Sequence, residues 1–451
     1  MPIVIKKKST FKGLHLPERK YTAGVKIEEV PVPERILLPS QQSLGAPISF
    51  DVKRGDTVLT GQKIADTDKY VSAPLHSSIS GRVVKVFQYI DQISSRLMDA
   101  VSIDSDGEDN SVEKDCLFEI SQESDPRSIM DIIKDITDQT IVRKIREAGV
   151  VGLGGATFPT HVKLSPPPSK NIDVLILNGC ECEPYITSDH AVMLEDGLKV
   201  LLGFYIISKV IAPEKCYIAI EDNKEDAIEH MKDLIIKSGL EDKFKIVSLP
   251  SRYPMGAEKN LIKNITSRTV PMGGLPMDVG VVVNNINTSK AVYEAVIEDK
   301  PLIDKVVTVT GNVKEPKNLL VRIGTPVSEL VEICGGLTDG SEEVIAGGPM
   351  MGNAMISLTT PVTKGMNCVL VKSREKMQEQ SCIKCGRCVD ICPMGLMPLM
   401  YVKFVKSGMN EACEDYYVSN CIECGSCAYV CPSCIPIVGY IKTAKATISS
   451  K

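Results

Sequence analysis

Tryptophan is absent from these 451 residues, and aromatic side chains together make up only 5%. Platforms for single-stranded nucleic acid stack bases on aromatic rings, so that class of binding is not expected. A net charge of −5 also removes the excess of basic surface that a phosphate backbone requires. Long apolar runs are missing too. The longest stretch, residues 200–207, falls far short of the roughly 20 residues that cross a bilayer as a helix. The chain is therefore not expected to span a membrane, although a peripheral subunit needs no such segment. No secretory leader is visible, and 16 Cys in this length are too sparse for a disulfide scaffold. A reducing, cytoplasmic setting is expected.

Cysteine is abundant in one place. Two copies of one pattern close the chain: Cys382, Cys385, Cys388 and Cys392 before Pro393, then Cys421, Cys424, Cys427 and Cys431 before Pro432. This is the ligand spacing of a bacterial two-cluster ferredoxin, in which three thiolates hold three corners of a cubane and the fourth reaches the neighbouring cluster. One [4Fe-4S] cluster is expected on Cys382, Cys385, Cys388 and Cys431. The other is expected on Cys421, Cys424, Cys427 and Cys392. Structural zinc is the competing reading, but zinc ribbons use two Cys pairs across a long loop. Cys434 reads as a spare thiol, Cys180 and Cys182 as small buried thiols, and Cys116, Cys216, Cys334, Cys368 and Cys413 as packing residues.

The length suggests three or four domains, and the patterning predicts a multidomain α/β and α+β chain. Residues 1–120 read as an arm followed by a small β unit with Gly-Asp and Ser-Gly turns. Its Val52, Gly55, Asp56, Val58, Gly61 and Gln62 resemble biotinyl/lipoyl-type barrel-sandwich domains. The hairpin at 74–78 carries no lysine, so no swinging arm is expected. An acidic stretch at 104–115 reads as a surface loop. Residues 121–295 alternate helical spacing with continuous apolar runs, as buried parallel strands between helices would. Residues 296–365 predict a smaller α+β module with a short helix near 327–333 that ends at Gly335 and Gly336. The ferredoxin-like unit occupies 366–451, its cysteine part beginning near Met377.

The densest chemistry outside the cysteines is the run Gly152, Gly154, Gly155 and Lys163. Glycines let backbone N–H groups approach an anion, and a lysine adds charge. On pattern alone a plain glycine turn competes equally, because a Rossmann fingerprint follows a strand and opens a helix, whereas 141–148 reads as helix and Pro159 soon interrupts. Three further segments accompany the run: residues 178–185 with Asn178, Glu181 and Glu183; residues 253–259 with Tyr253 and Glu258; and residues 283–288 with Asn284, Asn285, Asn287 and Thr288.

Taken in order with the β unit and the tandem cysteines, these segments resemble the RnfC subunit of Rnf electron-transport complexes, itself similar to the flavoprotein subunit of respiratory complex I. The resemblance implies an N-terminal barrel-sandwich hybrid-like unit, an FMN/NADH-binding α/β domain, a β-grasp module and a two-cluster ferredoxin-like domain. It implies an FMN held by Gly152, Gly154, Gly155 and Lys163, with Asn178, Asn284, Asn285 and Thr288 at the ring or phosphate side. Glu181, Glu183 and Glu258 match acidic positions beside the flavin and NAD(H). Residues 347–352 match a family segment in which Met350 and Met351 are expected to be core. Three departures stand out: residues 10–17 lack a glycine and separate His15 from Pro17, which leaves docking of the arm open; Asn287 stands where the family often has Gly; and Cys434 stands where a basic residue is common.

A nicotinamide exchanges a hydride while a cubane passes single electrons, and a flavin between them converts one currency to the other. No acid, base or nucleophile is required, so no catalytic residue is named. Three readings follow. The first is the NADH-handling peripheral subunit of an Rnf-type complex on the cytoplasmic face of the membrane, with membrane-bound Rnf subunits as partners and ferredoxin reached indirectly. The second is a soluble relative serving a dedicated reductase, such as proline reductase. The third is an iron–sulfur relay adapter without flavin.

Overall fold

A computed structural model describes residues 2–118, 125–374 and 378–449. The expected start near Met377 lies outside the described residues. The four central apolar runs form strands Val174–Gly179, Lys215–Glu221, Phe244–Leu249 and Val281–Asn285. Helices cover both faces of such a parallel sheet, which is why the strands read as continuous rather than alternating. A fifth strand, Val4–Lys6, comes from the N-terminal arm and pairs in parallel with Phe244–Leu249, Val4 opposite Ile246. The sheet order is Val4–Lys6, Phe244–Leu249, Lys215–Glu221, Val174–Gly179, Val281–Asn285.

The arm's strands thus pair with sheets outside the β unit that follows it. The second of them, Ile27–Glu29, pairs with Lys317–Arg322 of the next module. Between the two, Leu14 and Tyr253 exchange backbone hydrogen bonds of 2.8 and 2.9 Å, and Asn264 accepts from the Thr10 N–H at 2.8 Å. The arm docks despite the unusual spacing at 10–17, chiefly through its own backbone groups at Thr10 and Leu14.

The barrel-sandwich unit has one sheet of Arg35–Pro39, Leu97–Ser105, Gly81–Ile90 and Thr57–Val58, and a second of Ser49–Phe50, Lys63–Asp66 and Leu75–His76. Ile36, Leu38, Val58, Ile64, Val83 and Ile103 fill the space between them. The 74–78 hairpin is buried, and Ser78 Oγ donates to the Ile323 carbonyl, so this end faces the β-grasp module rather than solvent. That module wraps strands Asp304–Gly311, Lys317–Arg322, Glu343–Ala346, Asn353–Ala354 and Cys368–Lys372 around helix Val327–Ile333. The helix stops where Gly335 and Gly336 take φ of +77° and +87°. In the cysteine-rich unit, helices Pro398–Lys406 and Ile437–Ser449 pack through Tyr401, Val402 and Ile441.

Helices Gly197–Ile211 and Ile286–Ile297 lie against each other beneath the parallel sheet. Their approach depends on Gly203, where a Cβ would overlap the Ser289 carbonyl. Gly203→Ala must push the helices apart, at a cost of roughly 1–3 kcal/mol. A lowered thermal midpoint is expected, and an unchanged melt would contradict this packing.

Candidate functional site

After helix Asp138–Glu147 the chain turns back on itself. Val151 bridges Pro159, and the Gly152 N–H donates to the Phe158 carbonyl at 2.9 Å. Residues 152–158 thus form a closed loop before the short helix Thr160–Lys163, not the strand–loop–helix of a Rossmann fingerprint. The loop sits on Asn285, at the carboxyl end of strand Val281–Asn285, the usual place for ligands on an open parallel sheet. Gly154 is required there, because a Cβ would lie 2.5 Å from Asn285 Nδ2. The Leu153 N–H donates to Thr288 Oγ1 at 2.9 Å. Gly155 faces open space.

Lys163 reaches the same edge. Its Nζ donates to the Val283 carbonyl at 2.7 Å and to Glu258 Oε1 at 3.1 Å. Asn284 is 4% exposed and its Nδ2 has no protein partner, a costly state for a buried donor unless a ligand accepts from it. Asn178 lies beside Asn285 in register and donates to the Gly256 carbonyl at 2.9 Å. The structure therefore brings together Gly152, Gly154, Gly155, Lys163, Asn178, Glu258, Asn284, Asn285 and Thr288. An orphaned amide, a lysine and an open glycine backbone are a donor set that fits the acceptor-rich edge and phosphate of FMN.

Glu181 and Glu183, expected beside the nucleotide, have backbone partners of their own in the structure. Glu181 accepts from the Asp189 N–H at 2.8 Å and the Ser188 hydroxyl at 3.2 Å, capping helix Ser188–Glu195 where a carboxylate favours exposed N–H groups. Glu183 accepts from the backbone N–H groups of Met350 at 3.2 Å and Met351 at 2.8 Å. Burial pushes its pKa up to about 7, against the pull of those two bonds. Met351, expected to be core, is instead 49% exposed, whereas Met350 is part-buried with its side chain beside Gly425.

Sequence reasoning missed Lys20, which donates to the carbonyls of Glu181 (2.8 Å), Glu183 (2.8 Å) and Ile186 (2.6 Å). Burial lowers its pKa. Nothing in a Lys of an extended arm signals this. It also missed Asp189, although the Ser188-Asp189 pair before an apolar run is a helix-start signal.

The two cysteine runs fold as equivalent halves. Lys384 and Glu423 take φ of +57° and +55°, and Gly386 and Gly425 φ of +76° and +75°. In each half the N–H of the first of these points at the preceding thiol, Cys382 Sγ or Cys421 Sγ, at 3.4 Å. Cys382, Cys385, Cys388 and Cys431 line one cavity, while Cys421, Cys424, Cys427 and Cys392 line the other. Cys434 is the counterpart of Gly395, both left-handed at φ +49° and +65°. Cys216, Cys334, Cys368 and Cys413 are buried, as packing residues should be, but Cys116 is exposed. It follows the acidic loop, and the neighbouring Leu117 N–H donates to the Ile297 carbonyl at 2.7 Å.

The two cages differ in exposure. Cys382 and Cys385 are exposed and Ile383 between them is 68% exposed, whereas Cys424 and Cys427 are each 7% exposed. The covering comes from other domains. The Tyr253 hydroxyl donates to the Cys424 carbonyl at 2.7 Å, and Gly425 is so close to the Met350 carbonyl that a Cβ would sit 2.7 Å from it. Replacing Cys385 by Ser is expected to lower iron from about eight to about four per chain. Unchanged iron would contradict the division of ligands between the cages.

Comparisons with known proteins agree with this layout. Residues 8–108 match the RnfC barrel sandwich hybrid domain, 145–294 the Nuo51 FMN-binding domain, 306–354 the SLBB domain, and 381–435 a 4Fe-4S dicluster domain. The chain is similar to the C-subunit of the proton-translocating ferredoxin:NAD(+) oxidoreductase complex of Clostridium ljungdahlii, with 44% identity over 91% of this chain and 87% of that one. It is similar to the C-subunit of the Na(+)-translocating ferredoxin:NAD(+) oxidoreductase complex of Acetobacterium woodii, with 40% identity over 90% of each. Among solved structures, an NAD+-reducing [NiFe]-hydrogenase in the air-oxidized state superposes with a TM-score of 0.50 at 16% identity, covering 71% of this chain and 66% of that one. At that identity the likeness speaks to fold. With its FMN-binding domain and its 4Fe-4S dicluster domain each on a described set of side chains, the chain belongs to the RnfC family of ferredoxin:NAD(+) oxidoreductase complexes.

Proposed function

We propose that this chain moves electrons between NAD(H) and two [4Fe-4S] clusters by way of FMN, as the nucleotide-handling peripheral subunit of an ion-translocating ferredoxin:NAD+ oxidoreductase complex. The observation that carries this reading is the contact of Tyr253 with the Cys424 carbonyl, which joins the flavin domain to one cluster cage. Bound FMN supplies the exchange between a hydride's electron pair and single electrons. The chain's own residues bind, orient and shield.

Gly152, Gly154 and Gly155 offer backbone, Lys163 offers charge, and Asn178, Asn284, Asn285 and Thr288 orient the flavin. Glu258, part-exposed and paired with Lys163, is the carboxylate left facing the nucleotide side. Cys421, Cys424, Cys427 and Cys392 hold the internal cluster. Cys382, Cys385, Cys388 and Cys431 hold the outer one, whose exposed thiolates and Ile383 form the face through which electrons pass to or from a partner. The relatives are named for complexes that translocate different ions. No helix among the described residues is long and apolar enough to cross a membrane, so ion movement is assigned to membrane-bound partner subunits, with this chain against them on the cytoplasmic face. The names of the relatives favour this reading over a dedicated reductase, and the flavin-domain match favours it over a flavin-free adapter.

Anaerobic stopped-flow with NADH tests the order. Cys424→Ser, which disrupts the internal cage, is expected to leave flavin bleaching by NADH within about twofold of native, while reduction of the outer cluster slows at least about tenfold, more than 1.4 kcal/mol of barrier. Outer-cluster reduction at the native rate would contradict the order.

A further inference from the structure

Asp189 lies outside the glycine loop and the cluster cages, yet the loop rests on it through three hydrogen-bonded steps. It is in the first turn of helix Ser188–Glu195. One carboxylate oxygen accepts from Asn285 Nδ2 at 2.7 Å and the other from Asn287 Nδ2 at 2.6 Å. A carboxylate only accepts, so both amides must present Nδ2 to it, and neither can flip. Asn285 Oδ1 is thereby turned toward the start of helix Ile286–Ile297, where it accepts from the N–H groups of Asn287 at 2.9 Å and Thr288 at 3.3 Å. Thr288, held by that cap, accepts from the Leu153 N–H at 2.9 Å. Gly154 meanwhile lies directly against the Asn285 amide.

The surroundings make this carboxylate a poised one. Burial raises its pKa, and the Glu181 carboxylate across the helix start adds to the rise. The two amides and Lys305, from strand Asp304–Gly311, oppose it. Asn287, at a position where the resemblance leads one to expect glycine, supplies the second arm of the clamp.

We propose that Asp189 is a positioning residue for the flavin: by fixing the amides of Asn285 and Asn287 it sets, through Thr288, the shape in which the 152–158 loop receives FMN. This rests on reading that loop as the flavin loop. A packing role alone would tolerate any side chain of similar size, whereas this role requires an acceptor facing two donors.

The test uses the full chain, purified anaerobically with its clusters and then freed of flavin. Exchange of the Leu153 amide and binding of added FMN are measured for the native chain, for Asp189→Asn, and for the exchanged pair Asp189→Asn with Asn285→Asp. In that pair the bond between positions 189 and 285 re-forms with donor and acceptor reversed, the carboxylate at 285 still accepts from the N–H groups of Asn287 and Thr288, and the amide oxygen at 189 still accepts from Asn287 Nδ2. In Asp189→Asn, Leu153 exchange is expected to rise and FMN affinity to fall, each by about tenfold, the scale of one lost hydrogen bond to a charged group. Iron content is expected to stay at the native level. The exchanged pair is expected to restore Leu153 protection.

Native protection and affinity in Asp189→Asn would overturn the proposal. So would a rise in exchange spread evenly over the parallel sheet that the exchanged pair fails to reverse. If Asp189→Asn does not fold, the exchanged pair decides alone: a protected Leu153 supports the role and an exposed one ends it. Loss of protection at unchanged FMN affinity would move the flavin away from the loop, overturning the site reading and the proposal together.

Discussion

The proposed electron path depends on one constraint: the flavin domain and the internal cysteine cage must stay in contact. Tyr253 of the flavin domain imposes it directly, and Met350 of the β-grasp module, whose turn is held by Glu183 of the flavin domain, adds a second contact. The first donates its hydroxyl to the carbonyl of Cys424, which lines the internal cage, and the second presses its own carbonyl against Gly425. Both contacts are to backbone, so they hold the cage itself and not a mobile side chain. A left-handed glycine at 425 is what permits the approach, since any Cβ would force the turn away.

The acidic segment at 181–183 becomes intelligible in the same frame. Its carboxylates and carbonyls are spent on assembly. Glu181 caps a helix, Glu183 grips the Met350–Met351 turn, and Lys20 of the arm gathers three carbonyls around the segment. Charges that sit this far from water hold their place through several backbone partners at once. The arm, the flavin domain and the β-grasp module are thereby locked to one another, and the cluster unit is then seated on the locked surface. Relative domain motion, the usual expectation across small interfaces, is opposed at each of these joints.

Local signals in the sequence carried a long way. Continuous apolar runs became parallel strands, the short helix Val327–Ile333 appeared where its apolar spacing and terminal glycines placed it, and the two cysteine runs line the two cavities in the crossed arrangement that their spacing implies. What could not be read were the long-range partners. Val4–Lys6 is too short to declare its sheet, and it joins a domain more than two hundred residues away. Lys20 and Asp189 look like ordinary surface charges until the fold closes around them. Glu183 is placed on the nucleotide side through the family resemblance alone, and its protein partner cannot be read from sequence. Its partner is a pair of N–H groups, which every non-proline residue carries and no pattern marks.

The central claim is the seating of the internal cluster on the flavin domain. Anomalous diffraction at the iron edge from anaerobic crystals of the flavin-loaded chain tests it most directly. The expected result is two cubanes, with the one held by Cys421, Cys424, Cys427 and Cys392 nearer the flavin and the Tyr253 hydroxyl on the Cys424 carbonyl. A nearer cluster held by Cys382, Cys385, Cys388 and Cys431, or a cage detached from Tyr253, would contradict it.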